Sequence, residues 1–416
     1  IICRIIQGAT GGVMQPLSQS IMLEAFPPKD RGKAMGLWGV GVVVAPILGP
    51  VLGGWLTDNY SWRWVFYVNV PIGVMALVLN SLYLFDPAYL RRQVGKVDRW
   101  GLAYLAIGIA ALQIALDKGE QEDWFSSNLI TVLVVVAIIG LIALVIRELR
   151  TSEPIVDLKV FGERTYATGV VLITAVGFVL YGSLVLVPIM LQTLFHYPPL
   201  EAGIAMAPRG FGSLLAMPLV GILLSHVDPR KVLAGGFLLG AWTMFWLADL
   251  NLQAAYWDIF WPQFVQGVAL GMLFVPLTTI TMDRISRPAM GNATSIFNLT
   301  RSIGGSAGIA IIETSLANQR QVHTNVLIGH VDAYSLGTQQ MLQGLKSAFI
   351  ARGSDAVTAA ERSLAAIWGS VQQQAAMLSF IDAFKVLGII FIVTTPAVLL
   401  MRRPSHASEH PPAAGE

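Results

Sequence analysis

The chain has 416 residues, of which 55% are hydrophobic and 12% are charged, with a formal net charge of +2. So apolar a composition excludes a soluble globular domain and reads as an all-α polytopic membrane protein. The single cysteine, Cys3, excludes an internal disulfide and a cysteine cage for a metal.

Eleven apolar segments of about 17 to 28 residues, against the roughly 20 that cross a bilayer, run through the chain. They cover 1–22, 33–55, 64–84, 100–116, 129–146, 166–194, 202–224, 232–250, 255–282, 291–312 and 377–401. The first is unusually polar. It carries Arg4, whose charge in hydrocarbon demands a cavity, a counter-charge or an interface, and Gln7, Gln15, Ser18 and Gln19. Gln7, Gln15 and Ser18 fall on nearby helix faces, a spacing compatible with lining a cavity or with bonding between helices.

In the second span Gly41, Ala45, Gly49 and Gly53 recur every fourth residue, with Pro46 and Pro50 at the same interval. The small residues predict a stripe along which a neighbouring helix approaches backbone to backbone. The prolines each withhold an N–H, which predicts a bent or loosened helix. The cluster Trp62, Trp64, Phe66 and Tyr67 then reads as an interfacial belt.

Further on, Tyr181, Gln192, Gln263, Gln266, Thr278 and Thr279 are polar side chains inside spans, either bonded between helices or facing a cavity. The span 291–312 holds Asn298, Arg301 and a small-residue seam at Gly304 and Gly308, and Arg301 in mid-span requires a partner or water. Asp382 and Lys385, three residues apart, and Glu313 stand near the outer ends of spans, as boundary residues or as groups that take up protons. Within the segment 318–374, Met341, Leu345 and Phe349 and then Leu364, Ile367, Trp368 and Val371 recur at helical intervals. They predict amphipathic helices that lie on the membrane, cap the exit or dock a partner.

Basic residues fall on alternate loops, at Lys29, Arg31 and Lys33, at Arg91, Arg92, Lys96 and Arg99, at Arg147, Arg150, Lys159 and Arg164, at Arg230 and Lys231, at Arg284 and Arg287, and at Arg402 and Arg403. Those loops are placed in the cytoplasm, and the loop 117–123 and the segment 318–374 outside. A Gln-Gly pair, a mid-helix Pro-Leu and a Gly-x-Ala recur from Gln7 and again from Gln266, with 25 residues from Gln to the second Gly in both copies. A duplicated bundle explains this, as in carriers whose two halves enclose a midplane site. The second copy has three spans ahead of this point that the first lacks, so the natural protein is expected to have fourteen helices, eleven of them present.

Gly36, Ala45, Gly49, Pro50, Gly53 and Gly54 follow the antiporter motif, Arg4, Gln7 and Gly8 the Arg-x-x-Gln-Gly motif, and 61–73 and 116–127 two further signatures. On these the chain resembles the fourteen-helix drug:proton antiporters of the major facilitator superfamily, the EmrB/QacA type. Ala45 stands where the motif has glycine, and it is still small. The resemblance implies a major-facilitator fold, with 1–85 as the last three helices of the N-terminal bundle and 86–150 as two inserted helices. It makes 151–402 the C-terminal six-helix bundle with a long periplasmic loop at 315–376, and 403–416 a cytoplasmic tail. It implies proton-coupled export of lipophilic or cationic compounds across the bacterial inner membrane. Protons, small lipophilic drugs and the bilayer are the expected partners, and a periplasmic membrane-fusion adaptor with an outer-membrane channel is compatible with it. No nucleic acid and no cofactor beyond the proton motive force is expected. Arg4, Arg301 and Asp382 would take part in proton coupling, and Gln7, Gln15, Tyr181, Gln263, Gln266 and Asn298 would line the cavity. A symporter or other solute carrier on the same scaffold is the alternative. No H-E-x-x-H, G-x-S-x-G or phosphate-loop motif occurs, so no enzyme is expected.

Overall fold

The computed structural model describes residues 2–27, 30–84, 98–151, 154–331 and 334–402. Lys29, Arg91, Arg92, Lys96, Arg403 and the tail lie outside the described residues, as do the side chains of Arg4, Ala45, Pro46 and Pro50. Among the described residues every regular element is helical. In chain order they are α1 (Ile2–Gly11), α2 (Met14–Ala25), α3 (Arg31–Asn59), α4 (Trp64–Tyr67), α5 (Asn69–Tyr83), α6 (Arg99–Lys118) and α7 (Asn128–Arg150). There follow α8 (Arg164–Thr193), α9 (Pro199–Leu223), α10 (Pro229–Ala248), α11 (Tyr256–Met282), α12 (Met290–Ile328), α13 (Leu336–Ala351) and α14 (Ala356–Thr394).

Eight described helical stretches are long and apolar enough to cross a membrane, namely α4 with α5, each of α6 to α11, and α14 with the short turn that follows it. The other three expected spans are α1 with α2, α3, and the inner part of α12. The first is not one helix but two, separated by a turn at Gly12 and Val13. Gly11 and Gly12 stand together there, and glycine disfavours a helix interior by about 1 kcal/mol relative to alanine.

Helices α8, α9, α10, α11, α12 and α14 pack into one bundle, through the pairs α9 with α11, α8 with α12, and α10 with both α11 and α14. Small residues let the backbones approach. A Cβ at Gly304 or Gly308 on α12 would run into the carbonyl oxygens of Thr174 or Phe178 on α8. The Tyr166 hydroxyl donates to the Ala293 carbonyl over 2.9 Å and ties the cytoplasmic ends of the same two helices. Phe237 on α10, Phe297 on α12 and Phe384 on α14 are fully buried within the bundle.

Helices α6 and α7 form a hairpin whose Gly108 and Gly140 face each other. At its cytoplasmic end Asp98 accepts from the backbone amides of Trp100 and Gly101 as the helix cap, and from Arg147 Nε over 2.9 Å. The Arg147 guanidinium, with the cap amides adding to it, holds the Asp98 carboxyl below the usual carboxylate range. A carboxyl lowered on folding contributes stability that is fully present above its ordinary value, about 3.9, and is lost as pH falls through the lowered one. Thermal stability of the full-length protein is therefore expected to fall on this account only under acid conditions. Asp98→Asn should remove that acid dependence and lower the neutral-pH melting point, as differential scanning fluorimetry would read. At the hairpin's outer end Trp124 Nε1 donates to Thr314 Oγ1 on α12 over 2.9 Å.

The outer segment is helical where the apolar spacing predicts helices, and most of it continues the spans on either side. Helices α12 and α14 have 39 residues each and continue outward from the membrane, with α13 packed on α14. A helix of that length is about 58 Å long, roughly twice the hydrocarbon thickness, so each serves as a span and as part of the outer domain. Arg320 donates to Gln372, and His323 Nε2 lies 2.7 Å from Asp382 Oδ2, bridging the two rods. Lys385 Nζ is 4.0 Å from the same carboxylate.

Candidate functional site

The N-terminal helices meet the six-helix bundle along α3, whose main partners are α9 and α11. Helices α3 and α9 run in opposite directions, and their cytoplasmic halves touch backbone to backbone. A Cβ at Gly36 would stand 2.7 Å from the Met217 carbonyl oxygen, and one at Gly221 2.7 Å from that of Gly32. Trp38 of α3 stacks on Phe274 of α11, with ring centroids 5.9 Å apart. Helix α2 closes the same end from the other side. Asn298 Nδ2 donates to Gln19 Oε1 over 2.6 Å, and Arg301 Nη2 donates to Gln15 Oε1 over 2.9 Å. Arg31 Nε donates to the Leu23 carbonyl and fastens α3 to α2.

The stripe read from the sequence is not this seam. Among the described residues, Gly41, Gly49, Gly53 and Gly54 would meet nothing within 4 Å of an added Cβ. Periodicity identifies a stripe but not whether a partner faces it, and at 3.6 residues per turn Gly41 lies about 180° around α3 from Gly32. Beyond Gly39 α3 and α9 diverge toward the outer surface, and Gly53 and Gly54 border the space between them.

That space is a cavity of about 980 Å³. Gly53, Gly54 and Thr57 at the outer end of α3 line it, with Pro188 and Gln192 at the outer end of α8 and Leu200 at the outer start of α9. Its floor is formed by Met217, Phe274 and Arg301, at the level where the cytoplasmic contacts begin. The cavity therefore opens outward and is shut toward the cytoplasm. Its wall is mostly apolar, with Leu180, Leu184, Met206 and Leu270 among the lining side chains.

Two arginines interrupt that wall. Arg301 is 3% exposed, and its guanidinium lies over the Phe274 ring, 5.3 Å from the centroid. No acid serves it among the described residues, and its Nε has no hydrogen-bond partner. Arg209, in the middle of α9, is 7% exposed and donates to Ser183 Oγ over 3.3 Å and to the Leu180 carbonyl over 3.5 Å. Reading the sequence for polar residues in spans missed it, although an arginine between Pro208 and Gly210 inside the span 202–224 is the kind of residue that marks a functional position. An arginine at a helix centre costs about 2.5–3.5 kcal/mol on insertion scales, so retaining two at one cavity points to a task.

The remaining expected site residues separate. Tyr181 and Gln192 line the cavity with Arg301. Gln266 lies one layer behind, where its amide donates to Ser183 Oγ over 3.2 Å, and Gln263 is fully buried with neither amide atom bonded. Asn298 and Gln15 belong to the cytoplasmic closure. Gln7 is exposed on α1, away from the cavity wall. Asp382 sits at the outer boundary beside His323.

The profile of the Major Facilitator Superfamily matches residues 1–309. The multidrug export protein EmrB of Haemophilus influenzae is 40% identical over 337 residues, covering 80% of this chain and 66% of that protein. The multidrug export protein EmrB of Escherichia coli is 38% identical over 353 residues, covering 83% and 68%. The fatty acid resistance protein FarB of Neisseria gonorrhoeae is 34% identical over 410 residues, covering 98% and 78%. The chain thus spans about two thirds of the length of the two export proteins.

Proposed function

This chain belongs to the major facilitator superfamily, and on that premise we propose that it is a proton-driven exporter of lipophilic compounds working by alternating access. It is a multi-pass inner-membrane protein. The observation that carries the proposal is the cavity open outward above a closed cytoplasmic seam, the arrangement in which an exporter releases its load. The names of the relatives, multidrug export and fatty acid resistance, support lipophilic compounds as the load. An apolar wall of this size suits such compounds, since apolar contact is insensitive to detailed shape. Protons entering from outside supply the energy, with Arg4, Arg301 and Asp382 as the coupling residues. The outward extension of the rods α12 and α14 supports a periplasmic adaptor that takes the load on to an outer-membrane channel.

Cells expressing the full-length protein and loaded with a lipophilic dye are expected to extrude it several-fold faster than cells without it. The difference should vanish when the proton gradient is collapsed. Dye accumulation that rises with the gradient would identify an uptake symporter instead and overturn the export reading.

A further inference from the structure

Arg209 and Arg301 place two positive charges in the wall of one apolar cavity, and neither has an acidic partner among the described residues. They differ in what holds them. Arg209 is bonded to Ser183 and Leu180, both on α8 of its own bundle, so those bonds survive any motion between bundles. Arg301 is bonded to Gln15 of α2, across the boundary between the two sets of helices.

Opening the cytoplasmic side requires α2 and α3 to part from α12 and α9. That motion withdraws Gln15 from Arg301 and Gln19 from Asn298, because both hydrogen bonds cross the seam. Arg301 is then left over the Phe274 ring with its donors facing the cavity. A guanidinium deprived of its acceptor in an apolar cavity binds an anion by charge-assisted hydrogen bonds that water competes with weakly.

Resting on the export reading above, we propose that Arg209 and Arg301 hold the anionic head group of an amphipathic ligand, such as a lipophilic carboxylate, while the cavity faces the cytoplasm. Gln15 reclaims Arg301 as that side closes. The head group is left on Arg209 alone, and the ligand is weakened for release at the outer surface. Its apolar body lies along Leu180, Leu184, Met206 and Leu270.

The test uses purified full-length protein and three probes with one apolar body, pyrenebutyrate, its methyl ester and a trimethylammonium analogue, with binding read by fluorescence. Wild-type protein should prefer the carboxylate to the ester and the ester to the cation. Arg209→Gln should lower the carboxylate-to-ester preference about tenfold, the loss of roughly one charge-assisted bond, and Arg209→Lys should lower it less. Gln15→Leu should raise carboxylate affinity measured from the outer side about tenfold and slow its efflux, because Arg301 stays free after closure. Equal binding of the three probes by the wild type overturns the proposal even if the variants do not fold. An unchanged preference in Arg209→Gln, or unchanged outer-side affinity in Gln15→Leu, also overturns it. Gradient-driven efflux of the three probes by wild-type protein tests the export reading separately, and absence of efflux for all three would sink that reading while leaving the binding comparison intact.

Discussion

Gly36→Val is expected to abolish gradient-driven efflux in the full-length protein while leaving membrane insertion intact. In the closed cytoplasmic seam the position of a Cβ on Gly36 lies 2.7 Å from the Met217 carbonyl oxygen and 3.3 Å from its carbon. Those are backbone atoms, so no side chain can rotate away, and a valine must push α3 off α9. Forced overpacking of this kind costs about 1–3 kcal/mol, enough to shift a two-state equilibrium by roughly fivefold to 150-fold against the closed arrangement. The cavity would then stay accessible from the cytoplasm, and transport would stall before outward release. Accessibility labelling from each side of the membrane together with dye efflux checks this. Gly49→Val is the matched control, because no atom of the described residues lies within 4 Å of its Cβ position and the cytoplasmic seam should still close. Normal efflux by Gly36→Val would show that the seam is not a moving contact.

Gly267→Val should have a larger effect of a different kind, the loss of folded protein. Helices α9 and α11 cross so closely that a Cβ on Gly267 would overlap the Arg209 carbonyl, and one on Gly212 would overlap that of Phe264. A Cβ on Gly271 would stand 2.8 Å from Ala216 Cβ on the same face. Unlike the α3 seam, this contact lies within one bundle and has no alternative arrangement to escape to. Destabilisation of about 4 kcal/mol or more is expected, at the upper end of what single substitutions do. The monodisperse peak in size-exclusion chromatography should disappear for Gly267→Val and remain for Gly41→Ala, where the added methyl group meets nothing within 4 Å among the described residues. The same clash would displace the Arg209 backbone, so a weaker replacement that still folds should also disturb the cavity wall.

The span boundaries were legible because a bilayer imposes a length and a polarity that no other environment does. Each of the eleven apolar segments corresponds to a helix or a helix pair, and the outer ends of α12 and α14 were invisible only as continuations, since helices leaving a membrane carry mixed sequences. The cavity was less legible. The stripe from Gly41 to Gly53 is periodic and conspicuous, whereas the seam in contact is built from Gly32, Gly36 and Gly221, two of them on one helix and one on another far along the chain. Spacing within one helix carries no information about a partner or about which end of a moving pair is closed. Arg209 was legible in principle as a charge within a span. It was passed over because its partners, a serine hydroxyl and a carbonyl, form no motif.

The unbroken run of α12 and α14 from the membrane interior to their outer tips makes the pair a lever. A tilt of about 15° about the bilayer midplane would move a helix by about 4 Å where it leaves the hydrocarbon, and by about 11 Å at a tip some 43 Å from the pivot. The bridges from His323 to Asp382 and from Arg320 to Gln372 couple the two arms, so they would swing as one. A spectroscopic label near Tyr334, which is 89% exposed, would accordingly register each turnover with far greater amplitude than any label placed inside the bilayer.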